Sequence, residues 1–340
     1  MLHRQEQEWL HPFALQSAQS QGRKATEPDL RYQTVFQSDR NRIVSSKAFR
    51  RLKHKTQVFI SPVGDHYRTR LTHTLEVSQV ARTVARALRL NEDLTEAIAL
   101  GHDLGHPPFG HTGEAILQEL FPQGFNHEAQ SVRIASIIEP LNLTAEVLDG
   151  MASQLNQTTP GTLEAQVVKM TDRMTYLQHD VEDAIRAGLM RETDIPADIE
   201  HTLGKDRKTR LETMIADMIE QSQQQFEKNQ RVITVSEDVR DAITALRQWM
   251  FDHIYLSPSQ VQQKQKVHRV LSGLVQHFLN HPEQIPQPEQ VTSDNTPEIS
   301  LAVLDYVSGM TDRYATDLYC QLLLPTPYPV DKGLDKGLFV

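Results

Sequence analysis

In 340 residues only one short stretch, Gln57-Val58-Phe59-Ile60, reads as an extended segment, and Ser61-Pro62-Val63-Gly64-Asp65 ends it. A chain with a single candidate strand must bury its apolar residues helix against helix. Aromatic residues are only 6% of the chain, which agrees with a scarcity of sheet-building runs. Beyond Asp65 the apolar spacing is helical. Val77, Val80, Val84 and Leu88 recur at three and four residues. Asn91 is placed to cap the next helix, where Leu94, Ile98 and His102 share a face. Gly101 to Gly110 is a Gly/Pro-rich turn, and a helix restarts near His111. Further helices are expected over 163–189, 207–226, 238–251, 261–279 and 299–324, with loops at 156–161 and 281–297.

The length exceeds what one compact core usually holds, so one large domain with an appendage, or two domains, is expected. The expected organisation is a loosely held Gln-rich arm over 1–35, a helical core over 36–190, a helical part over 191–324 packed on that core, and a flexible tail over 325–340. The tail carries a short duplication, Asp331-Lys332-Gly333-Leu334 and Asp335-Lys336-Gly337-Leu338, without fold information. Net charge is −9, which argues against wholesale coating of nucleic acid and does not point to a single strand as partner. No stretch of about 18 apolar residues occurs, and the N-terminus is too polar for a signal peptide. Cys320 is the only cysteine, which excludes an internal disulfide and a thiolate cage. The expectation is a cytoplasmic protein whose metal, if any, is held by His, Asp or Glu.

Three separated groups could hold one. His73 lies on the face of Val77, Val80 and Val84, where a lone histidine is more often a core residue. His102-Asp103 sits between Gly101 and Gly105, where a helix end could turn both side chains toward one ion. Asp172 heads a stripe with Tyr176 and Asp180, on a helix whose apolar neighbours suggest deep packing, where unpaired carboxylates are costly. Two imidazoles and two carboxylates form a mixed shell that suits Mn²⁺, Fe²⁺, Co²⁺, Ni²⁺, Zn²⁺ or Mg²⁺.

Around them, residues 39–70 carry nine basic side chains against Asp39 and Asp65, a local +7. This is either a basic surface or a cradle for a polyanion. Arg70, three residues before His73, is the best-placed phosphate fork. His111 and Glu114 stand one helical turn apart, and a carboxylate on one imidazole nitrogen raises the basicity of the other, which suits proton transfer.

The order His73, His102-Asp103, Asp172 resembles the ligand order of the HD superfamily. The surrounding text is more specific. Ser45 to Leu52, Lys55 to Phe59, Arg70 to Val77, His102 to His111, Asn126 to Ser131, Tyr176 to Asp180 and Asp305 to Asp312 look like the deoxyguanosine triphosphate triphosphohydrolase family and its broader dNTPase relatives. These matches run from about residue 40 to residue 314. The resemblance implies a mostly α HD-domain fold with additional C-terminal helices. It implies one divalent metal ion on His73, His102, Asp103 and Asp172, with room for a further Mg²⁺ on the triphosphate. It assigns His111 and Glu114 as the catalytic dyad, and His106 and His127 to the phosphate nearest the sugar. Tyr176, Asp180 and Gln57 would face the deoxyribose. The implied reaction cleaves a dNTP to deoxynucleoside and tripolyphosphate, in a homo-oligomer with room for an activating nucleotide at a second site. The rivals are an HD phosphohydrolase for nucleoside monophosphates or cyclic nucleotides, and a non-catalytic nucleotide or single-strand sensor.

Overall fold

A computed structural model describes residues 2–28, 31–57, 68–153, 159–286 and 296–325. Among them the chain forms α1 (Leu2–Trp9), α2 (Val35–Ser45), α3 (Lys47–Arg51), α4 (Arg70–Ala87), α5 (Glu92–Gly101), α6 (Gly110–Leu120), α7 (His127–Arg133), α8 (Ala145–Ala152), α9 (Leu163–Arg186), α10 (Ala197–Leu203), α11 (Arg207–Glu227), α12 (Glu237–Met250), α13 (Pro258–Asn280), α14 (Thr296–Ser308) and α15 (Asp312–Leu323). The β-type pairings among the described residues are two isolated bridges, Arg23–Thr144 and Thr56–Thr69. The mostly α expectation holds. Of the extended candidate only Gln57 is described; Val58–Ile60, the turn at 61–65 and the duplication at 331–338 lie outside the described residues.

Sequence reasons for the helices are local. On α4 the buried positions are Arg70, His73, Thr74, Val77, Ser78, Ala81, Val84 and Ala85, a stripe at three- and four-residue spacing. Burying a valine side chain such as Val77 or Val84 contributes roughly 1.5–3 kcal/mol. Asn91 caps α5 as expected, its side chain accepting the Leu94 N–H, and Glu92 and Asp93 favour the positive end of that helix. The single helix expected over 299–324 is two. Thr311 accepts the Tyr314 N–H and restarts the chain as α15, a capping signal that the apolar spacing concealed. The N-terminal arm is not loose among the described residues. Glu6 accepts from Ser17 N–H and from Asn91, Leu15 N–H binds Glu164, and Arg23 pairs with buried Asp39.

Apolar side chains gather in two cores. The larger is built on α4, α5, α8 and α9 and continues through α10 to α12. The smaller joins Phe109, Ile116, Leu117, Phe121 and Phe125, on and around α6, to α13, α14 and α15. The turn between α5 and α6 crosses from one core to the other, so the C-terminal helices directly support what α6 carries. Phe109 has φ 65°, and Gly110 has φ 60°. A Cβ at Gly110 would overlap the Gln57 carbonyl oxygen, so glycine is required there on both counts.

The left-handed Phe109 is held from the C-terminal part. Asp312 accepts its N–H at 2.8 Å and also accepts from Thr56 N–H at 3.0 Å and Thr56 Oγ1 at 2.6 Å. Lys55 donates to the His106 and Ser308 carbonyls. Asp312→Ala should therefore lower stability by about 2–4 kcal/mol in urea unfolding, because buried donors lose their acceptor. Asp312→Asn, which keeps one carbonyl oxygen, should lose less. A loss below about 0.5 kcal/mol for the alanine variant would show that the clamp is incidental.

Candidate functional site

Helices α4, α5 and α9 bring the three separated groups together. His73, His102 and Asp103, each 2% exposed, have ligand atoms within 4.8 Å of one another. Asp172 on α9 completes the set: its Oδ1 lies 3.0 Å from His73 Nε2 and 3.6 Å from His102 Nε2. His102 Nδ1 lies 2.6 Å from the Ala99 carbonyl, which can only accept. That ring nitrogen therefore carries a hydrogen, and it is Nε2 of the neutral ring that would present a lone pair. Among the described residues Nε2 is buried without a hydrogen bond, and it faces two carboxylates at 3.5 and 3.6 Å. Lone pairs that converge in this way need a cation among them. The mixed His/Asp donor set fits a divalent ion.

Electrostatics point the same way. Burial works against charge on His102, yet Asp103 and Asp172 push it up to about 9. Burial likewise opposes ionisation of Asp103 and Asp172. The Arg70 guanidinium and the imidazoles hold Asp103 well below the usual carboxylate range, and the neighbouring His102 and His73 rings do the same for Asp172. The cluster is arranged to keep positive charge in place. Arg70 bonds Asp103 Oδ2 at 2.9 Å and is itself buried.

A second cluster follows across the turn. His106 stacks on His127 with ring centroids 4.3 Å apart, and His111 lies edge-on at 5.1 Å from His106. Glu114 serves two imidazoles, His127 Nδ1 at 2.7 Å and His111 Nδ1 at 3.3 Å, and also accepts the His127 N–H at 3.0 Å. The spacing argument paired Glu114 with His111 alone; the tighter partner, His127, is brought in by the fold. Burial opposes ionisation of Glu114, but these two imidazoles hold it well below its ordinary value. His127 is raised by Glu114 despite burial. His106 is driven well below 6.5 by burial and by Arg70, and is neutral at pH 7. Among the described residues neither of its ring nitrogens has a hydrogen-bond partner. His111 is the open member, its side chain 57% exposed.

Along α9, Tyr176 is half-buried and Asp180 fully buried. Tyr255, from the short π turn after α12, donates to Asp180 Oδ2, and Arg247 lies beside Tyr176. Burial pushes Asp180 up to about 7. Gln57 is buried, with Oε1 lacking a partner among the described residues. Tyr255, Arg247, His179 and Glu76 were not singled out by spacing. His179 and Glu76 sit inside the motif stretches, but only the packing of α4 on α9 shows that they touch.

The basic segment disperses. Arg40 pairs with Asp93 and Glu96, Arg42 with Glu27, and Arg68 with Glu76 and Glu182. Arg51 donates to the Gly309 carbonyl. Arg70 and Lys55 are the members bonded within the clusters described above. Three of the nine basic side chains, Arg40, Arg42 and Arg68, are thus committed to acids outside the segment.

Two family descriptions match stretches of the chain. Residues 70–177 match the HD domain and residues 233–321 match the phosphohydrolase-associated domain. A deoxyguanosinetriphosphate triphosphohydrolase-like protein of Caldanaerobacter subterraneus subsp. tengcongensis is 46% identical over 323 residues, 94% of each chain. Proteins of the same description from Desulfatibacillum aliphaticivorans and Clostridium perfringens are 43% identical, covering 95% and 93% of this chain and 97% and 94% of their own. Among the described residues no helix is long and apolar enough to cross a membrane. A cation-ready His/Asp cluster, an adjoining imidazole–carboxylate cluster and these relatives along nearly the whole chain place it in the HD-domain family of deoxyguanosinetriphosphate triphosphohydrolase-like proteins.

Proposed function

We propose that the protein hydrolyses deoxynucleoside triphosphates to deoxynucleoside and tripolyphosphate in a metal-dependent reaction. The observation that carries this reading is the junction of the two clusters. Arg70 and the His/Asp set adjoin His106, His111, His127 and Glu114 through Asp103, His106 and His127, whose ligand atoms lie within 4.8 Å of one another. One phosphorus could be reached from both. His73, His102, Asp103 and Asp172 would hold the ion. When bound, a divalent ion supplies Lewis acidity and lowers the pKa of a coordinated water to about 7.

The remaining work falls to side chains. Arg70, His106 and His127 contact phosphate oxygens, with His106 stacked on His127. His127 has Nδ1 committed to Glu114, which leaves Nε2 for the ligand. Water attacks the α-phosphorus in line, the bond to O5′ breaks, and His111 gives its proton to the leaving alkoxide. In the alternative assignment His111 takes the proton of the attacking water. Glu114 orients the ring in either case. The relatives described as triphosphohydrolase-like support this substrate class over a monophosphate or cyclic nucleotide.

Tyr176, one helical turn beyond Asp172, would lie against the sugar, and Asp180, two turns or about 12 Å along, would accept from the 3′-hydroxyl. Gln57 would reach the same end. The test is kcat/KM for dGTP, GTP, 2′,3′-dideoxy-GTP and dGMP in parent, Tyr176→Ala and Asp180→Ala proteins. The parent should prefer dGTP. Tyr176→Ala should narrow the dGTP-over-GTP ratio. Asp180→Ala should lower kcat/KM for dGTP by about 10–100-fold, the scale of a lost hydrogen bond to a charged group, and the dideoxy analogue should be a poor substrate. Equal use of GTP and dGTP by the parent, or faster cleavage of dGMP, would favour the broader phosphohydrolase reading.

A further inference from the structure

His73 presents one ring nitrogen to the cation cluster, and the other is not idle. His73 Nδ1 lies 3.2 Å from Nδ1 of His179, seven residues past Asp172 on the same face of α9. His179 is completely buried, and its Nε2 lies 2.6 Å from Oε2 of Glu76, one turn beyond His73 on α4. The same Oε2 takes a bond from Arg207 of α11 at 2.6 Å, and Oε1 takes one from Arg68 at 3.2 Å. The two arginines fix the carboxylate in place.

Hydrogen positions follow from these contacts. An ionised carboxylate only accepts, so His179 Nε2 bears the hydrogen. The Nδ1 of a neutral His179 is then bare and accepts, so His73 Nδ1 must donate. That leaves the lone pair of His73 on Nε2, the atom 3.0 Å from Asp172 Oδ1. We propose that Glu76 and His179 form a positioning relay that fixes the tautomer and orientation of His73 and thereby sets the affinity of the site for its divalent ion. The proposal rests on the metal reading given above and deepens it. His179 would never touch the ion, and removing it should change metal binding without removing a ligand. Outer partners of ligating histidines typically matter by about 10–100-fold in metal affinity.

The probe is Mn²⁺ alone, titrated into metal-free full-length protein and followed by the electron paramagnetic resonance signal of free Mn²⁺. His179→Phe keeps the ring volume and removes the acceptor; its Kd should rise by about 10–100-fold. His179→Asn returns an acceptor oxygen near the Nδ1 position and should recover most of the loss. Glu76→Ala, on a half-exposed side chain, should weaken binding by about 10-fold and covers the case in which His179→Phe fails to fold, as judged by circular dichroism. A folded His179→Phe or Glu76→Ala protein that binds Mn²⁺ within about twofold of the parent would overturn the relay while leaving the metal site intact. An Asn variant as weak as Phe would also overturn it, because steric packing rather than the acceptor would then govern. A parent that binds Mn²⁺ no better than His73→Ala would overturn the metal reading and this inference with it.

Discussion

Stripping the protein of divalent ions should cut turnover by at least about 10³-fold, because the nucleophile then loses the shift of water from a pKa near 16 to one near 7. Adding the ion back should restore it. His102→Ala should show the same loss without restoration. Its Nε2 is buried without a hydrogen bond among the described residues, and Ala99 holds the other ring nitrogen, so the ring is set to offer Nε2 to an ion. The expected effect is visible in stability too. An ion present at 100 times its Kd stabilises the folded state by about 2.7 kcal/mol, and chelation should lower the melting temperature accordingly. Parent protein with undiminished turnover in excess chelator would remove the metal from the chemistry.

Proton transfer carries the second large effect. His111→Ala should lower kcat by about 10²–10⁴-fold, with Mn²⁺ affinity unchanged. Of the three clustered imidazoles His111 is the most open, and it shares Glu114 with His127. That sharing sharpens the test. Glu114 sits closer to His127, so a fall confined to His127→Ala, with near-normal turnover in His111→Ala, would transfer the proton-carrying role to His127. If both fall, the split decides: loss of a phosphate contact raises KM as well, whereas loss of the proton carrier falls on kcat. Replacing Glu114 by Gln should depress the basicity of His127, since the carboxylate that raises it is gone, and shift the titration of that ring toward lower pH.

What the sequence made legible was local. The Asn91 cap, the Gly/Pro turn before α6 and the stripe of Asp172, Tyr176 and Asp180 are written in neighbouring residues, and the helices follow them. The convergence of His73, His102-Asp103 and Asp172 was legible only as an order of residue types; bringing them within a few ångströms needs α4, α5 and α9 to pack together. Long-range partners left no spacing signal. Tyr255 meets Asp180 across 75 residues, and Glu76 meets His179 across 103. The positive segment misled in part because charge counts do not reveal partners. Asp93, Glu96, Glu27 and Glu182, which pair with Arg40, Arg42 and Arg68, lie 15 to 114 residues away. The division of apolar residues into two cores was also hidden, since α6 follows the HD-type turn in sequence but packs with α13 to α15.

The central claim is cleavage between the α-phosphorus and O5′ of a dNTP. The direct measurement is product analysis in ¹⁸O-labelled water, with purified protein, each dNTP singly and mixed, and Mn²⁺ or Mg²⁺. The account predicts deoxynucleoside and tripolyphosphate in equal amounts, with the label in tripolyphosphate and none in the nucleoside. Deoxynucleoside monophosphate with pyrophosphate, or diphosphate with phosphate, would contradict it, as would label on the 5′-hydroxyl.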